Sequence, residues 1–138
     1  MEKEKVMSNL SKFLRKLRID NDEFLVDMAK TLEISSAHLS SIENGRKTVP
    51  ADFSEKLKSN YNLTDEQTEE LETYIAEANR QVLIDLESIQ EKKNFPVYAK
   101  TAVKFAKELS KLDTSHLDQI QQILQQVENS VAGNTMEK

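Results

Sequence analysis

Few residues of this 138-residue chain could make or break bonds. The two histidines, His38 and His116, stand far apart, and neither has carboxylates at a spacing that would build a metal-ligand set. No cysteine is present, which excludes disulfides and thiolate metal sites. Two glycines cannot furnish a phosphate-cradling loop, and no nucleophile elbow occurs. We therefore expect neither an enzyme nor a metal or cofactor. What remains is recognition chemistry, concentrated between Ser35 and Lys47. Ser36, Ala37, His38 and Ser41 offer hydroxyl, methyl and imidazole contacts, while Asn44, Arg46 and Lys47 offer an amide and two positive charges.

Those side chains need rigid elements to position them. Phe24, Leu25, Met28 and Leu32 recur at helical spacing and predict one buried stripe with Ala29 beside it. An alanine at a helix crossing permits the close approach that leucine would prevent. Ser35 is placed to cap a second helix, in which Leu39 and Ile42 point inward and Ser36, Ala37, His38 and Ser41 point outward. Gly45 ends it, because a residue just past a helix often adopts the left-handed conformation.

Flanking segments complete a small bundle. Leu10, Phe13, Leu14 and Leu17 form one face of an earlier helix, with Ser8 or Asn9 available as its cap. Pro50 starts a further helix with Phe53 and Leu57 on its inner face, and Tyr61 and Leu63 close the bundle. Thr64 and Gln67 form a capping box for a fifth helix. No proline or glycine interrupts the chain from residue 64 to residue 93, so that helix is expected to run on for roughly 45 Å. Two more helices follow. One carries Phe95, Tyr98, Ala102, Phe105 and Leu109; the other, capped near Asp113, carries Leu117, Ile120, Leu124, Val127 and Val131 and should stop at Gly133.

These features resemble the Cro/C1 (XRE) family of phage and bacterial helix-turn-helix regulators over roughly Leu10 to Leu63. The likeness rests on Leu14-Arg15-Lys16-Leu17-Arg18, Met28-Ala29-Lys30-Thr31-Leu32, Ile34-Ser35 and Leu39-Ser40-Ser41-Ile42-Glu43-Asn44-Gly45-Arg46. It implies an all-α fold: a five-helix, lambda repressor-like DNA-binding head over residues 1–63 and a helical dimerisation or interaction region over residues 64–138. It also implies that Arg18 pairs with Glu43. In such a head the first turn of the second motif helix enters the major groove of double-stranded DNA, bringing Ser36, Ala37, His38 and Ser41 to the base edges. Asn44, Arg46 and Lys47 would meet the phosphate backbone, where they position without specifying. Two positions depart from the family pattern. Leu25 stands where a glutamine is usual, and Glu33 replaces the usual turn glycine.

Charge distribution qualifies the net value of -5. Residues 1–60 carry 11 Lys+Arg against 10 Asp+Glu, whereas residues 61–138 carry 8 against 14, so the excess acid is expected behind the head. No run of about 18 apolar residues exists, and Met1-Glu2-Lys3-Glu4-Lys5 lacks the apolar core of a signal peptide, which makes the cytoplasm the expected location and a membrane an unexpected partner. One small head makes few contacts with DNA, so a homodimer through residues 64–132 is the expected assembly. A possible protein partner defines the alternative, in which a helix-turn-helix head with weak or no DNA binding serves as a docking surface in the manner of an antitoxin or phage-encoded inhibitor.

Overall fold

The computed structural model of the chain describes residues 7–136, so the N-terminal run Met1 to Lys5 lies outside the described residues. Among the described residues there are seven α-helices and no strand. They form two compact units, residues 7–83 and 84–136. None of the helices is long and apolar enough to cross a membrane.

The first unit holds α1 (Asn9–Asp20), α2 (Leu25–Thr31), α3 (Ser36–Glu43), α4 (Phe53–Tyr61) and α5 (Asp65–Asn79). Three of them begin at side chains that satisfy their first N–H groups. Ser8 Oγ accepts from the Ser11 N–H at 3.1 Å, and Ser35 Oγ accepts from the His38 N–H at 3.0 Å. Thr64 and Gln67 cap each other reciprocally at 2.9 and 3.1 Å. The helix expected to start at Pro50 begins three residues later. Pro50 to Phe53 is a turn closed by the Phe53 N–H on the Pro50 carbonyl at 3.2 Å.

Leu10 and Leu14 of α1 meet Met28 and Ala29 of α2, Leu39 and Ile42 of α3, and Phe53 and Leu57 of α4 in one core. Leu71 of α5 is fully buried in it as well. α5 packs on both α1 and α4, and the Phe13 and Tyr74 rings meet edge to face at 6.2 Å. The first unit therefore extends to Leu83 rather than to residue 63.

Two sequence expectations fail here, one for a local reason and one for a tertiary one. Phe24 is not part of the buried stripe; it stands at the N-cap of α2, before the helical register begins, and is 78% exposed. Its N–H is taken by the Asp27 carboxylate at 2.8 Å. The long fifth helix also ends early, after fifteen residues. The Asn79 amide accepts from the Val49 N–H at 2.8 Å and donates to the Val49 carbonyl at 3.1 Å, pinning the helix end to the loop before α4. Arg80 then turns left-handed, with φ +56°, and closes on the Ala76 carbonyl at 2.7 Å. A tertiary bond thus stops the helix where no proline or glycine does.

The second unit holds a short 3-10 turn at Glu87–Ile89, then α6 (Phe95–Glu108) and α7 (Thr114–Met136). Pro96 sits in the first turn of α6, where its missing N–H costs nothing. Asp113 Oδ1 accepts from the His116 N–H at 3.0 Å and His116 Nδ1 accepts from the Asp113 N–H at 3.2 Å, which fixes the start of α7. Gly133 does not end α7, which continues to Met136. Glycine allows a left-handed stop without enforcing one, at a cost of about 1 kcal/mol inside a helix.

Candidate nucleic-acid interface

Between α2 and α3 the chain reverses within four residues, Leu32 to Ser35. Glu33 takes the left-handed conformation, φ +60°, and the Ile34 N–H returns to the Ala29 carbonyl at 3.0 Å. A residue with a Cβ pays about 1 kcal/mol or more for this conformation, which glycine enters freely. Lys56 of α4 supports the turn, donating to the Leu32 carbonyl at 3.2 Å and standing 3.6 Å from the Glu33 carboxylate.

α3 carries its two apolar side chains, Leu39 and Ile42, fully into the core. The opposite side stays open: Ala37 is exposed, and Ser36, His38 and Ser41 are half-buried. Asn44 follows as the C-cap, with its amide 3.4 Å from Ser40 Oγ. Gly45, φ +77°, reverses the chain, so that the N–H groups of Arg46 and Lys47 both fall on the Ser41 carbonyl, at 2.8 and 3.2 Å. Two exposed cations are thereby held against the end of α3. The seven recognition residues singled out in the sequence thus lie on one short helix and the loop that leaves it.

The angle of that helix is fixed by Arg18 and Glu43. The guanidinium of Arg18, a residue 8% exposed, donates to both carboxylate oxygens of Glu43, through Nη1 to Oε2 and through Nη2 to Oε1 at 3.2 Å. Arg18 Nη1 also lies 3.3 Å from Met28 Sδ, so one side chain of α1 touches both helices of the pair. Such a fork, shut away from water, defines geometry more than it adds net stability.

Two features of the site were not foreseen. Ile19, Phe24 and Val26 are 74%, 78% and 55% exposed around the start of α2, in a sequence that also carries Asp20, Asp22, Glu23 and Asp27. Glu23 accepts from the Tyr61 hydroxyl at 2.7 Å; burial, and then this bond, push the Tyr61 hydroxyl above its usual range. The signal for Phe24 was present three residues on, because an aspartate at that spacing marks position 24 as a helix cap rather than a helix face. Charge is the second surprise. α5 bears Asp65, Glu66, Glu69, Glu70, Glu72 and Glu77 with no lysine or arginine, so residues 7–83 hold 10 Lys+Arg against 14 Asp+Glu, and the acid expected behind the first unit belongs to it.

Among the described residues no cluster of histidine and carboxylates is arranged to hold a metal ion. Comparison with known families, with characterised proteins and with solved structures returns no match to this chain.

Proposed function

We propose that this chain is a sequence-specific DNA-binding transcriptional regulator of the Cro/C1 type, a repressor of a phage or other mobile element that occupies its operator as a homodimer in the cytoplasm. The single observation that carries this reading is α3: a short helix locked by the Arg18–Glu43 fork, with its polar side open and two cations at its exit. Ser36, Ala37, His38 and Ser41 meet the base edges, and Asn44, Arg46 and Lys47 meet phosphates. None of the four readers makes the bidentate contact that arginine or glutamine would, so half-site spacing and DNA shape carry much of the specificity.

A mobility shift with the duplex upstream of the protein's own gene tests the reading. The pair Arg46→Ala and Lys47→Ala should lower affinity roughly tenfold or more and flatten the salt dependence by about two phosphate contacts per head. Both side chains are exposed, so unfolding should move by less than about 0.5 kcal/mol.

One observation favours a second reading, a docking module with weak or no DNA binding. In the helix-turn-helix arrangement the start of α2 faces the phosphate backbone, yet here it presents Ile19, Phe24 and Val26 among carboxylates. Absence of any shift at low salt, with the fold intact, selects this reading over the first.

A further inference from the structure

The second unit does not bury its own apolar surface. Among its described residues none is buried, and nine large apolar side chains between Val97 and Val127 are each more than a third exposed. Seven of them gather on one side of each helix; Val103 lies instead among Lys100, Lys104 and Lys107, and Ile123 lies off the stripe of α7. Tyr98, Ala102, Phe105 and Leu109 follow one another at four, three and four residues, and Leu117, Ile120, Leu124 and Val127 at three, four and three. That 3.5-residue repeat is the spacing with which one helix packs along another. Between the two stripes runs an open groove of about 660 Å³, lined by Val97, Tyr98 and Phe105 from α6 and by Ile120 and Leu124 from α7.

We infer that this groove is closed by a second copy of the chain, the α7 helices meeting across a twofold axis and the α6 helices flanking them in a four-helix bundle. The inference deepens the homodimer of the proposed function and rests on that reading only for its purpose, not for its physics. Area favours the assignment. The seven that border the groove or continue its stripes, at roughly 80 Å² each, leave about 560 Å² per copy to be covered, near the ~600 Å² per partner at the lower end of specific stable interfaces.

Charge favours a copy over an unlike partner. At a twofold axis each residue near the axis faces its own twin, so a charged rim there repels itself. From Leu117 to Val131 the stripe of α7 is flanked mostly by Gln119, Gln121, Gln122, Gln125 and Gln126, with Asp118 and Glu128 the two charged residues, and no lysine or arginine occurs anywhere in the helix. The lysines of α6, Lys100, Lys104 and Lys107, share the opposite side of that helix from Tyr98, Ala102 and Phe105, where they remain in water. The interface therefore lies within residues 84–136, and α5, which packs on α1 and α4, takes no part in it.

Sedimentation of the full chain without DNA tests the inference at tens of micromolar. The expected result is a dimer for the natural sequence and a monomer for Leu124→Asp. Because Leu124→Asp could also unravel the second unit, a milder probe accompanies it. The chain has no cysteine of its own, so Leu124→Cys and Val127→Cys report proximity cleanly. On mild oxidation they should form covalent dimers at least tenfold faster than Lys104→Cys on the outer side of α6. A monomer at that concentration, a dimer indifferent to Leu124→Asp, equal cross-linking at all three positions, or transfer of the monomer to phosphatidylcholine vesicles would each overturn it. A monomer that still shifts DNA removes this inference alone; a dimer that shifts none removes the regulator reading alone.

Discussion

Arg18 and Glu43 each bury a charge that the other neutralises, and the consequence is asymmetric. Replacing Arg18 with methionine strands the Glu43 carboxylate in a site where little water reaches it, a loss of about 3 kcal/mol or more. Replacing both, as Arg18→Met with Glu43→Leu, should restore most of that stability, because paired apolar groups need no compensation. Urea unfolding of the two singles and the double measures this directly; a double variant no more stable than the worse single would mean that the pair itself supplies net stability. At this scale the sequence was legible where a motif named both partners, as with Arg18 and Glu43, or where short-range chemistry decides, as with the caps Ser35 and Thr64. It was illegible at Phe24, whose apolar character suggested burial while its backbone position, capped by Asp27, turned it outward.

The turn between α2 and α3 stores strain at Glu33. A left-handed residue with a Cβ costs about 1 kcal/mol, and the exposed contact with Lys56 at 3.6 Å returns only a few tenths. Glu33→Gly should therefore raise stability by about 0.5–1 kcal/mol, read as a higher thermal midpoint, and leave the α2–α3 angle unchanged. A lower midpoint would show that the Lys56 contact outweighs the backbone term. Helix positions were readable from periodicity, since α1, α3, α6 and α7 lie where their apolar stripes place them. Helix ends were less so. The stop at Asn79 depends on Val49, thirty residues away, and Gly133 offers a stop that α7 does not use. A bond between distant residues leaves no mark in the local pattern that composition could reveal.

Over the whole molecule, the two units divide the work between a well-packed head and a pair of helices with apolar surface to spare. The head carries more acid than base, so in the proposed reading any attraction for phosphate must come from the placement of Arg46 and Lys47 rather than from net charge, and binding should weaken steeply with salt. Affinity then depends on presenting two such heads at once, which the second unit would achieve by joining two copies. The division between head and extension was legible in outline, but not its position. α5 shows an ordinary amphipathic pattern, and only its packing on α1 and α4 assigns it to the head. The measurement that tests the account most directly is selection of bound duplexes from a random pool by the full chain. The account predicts enrichment of one site with two half-sites in dyad symmetry, their centres about 10 base pairs or a multiple of that apart. Recovery of no enriched sequence even at low salt, from protein shown to be folded, would contradict it.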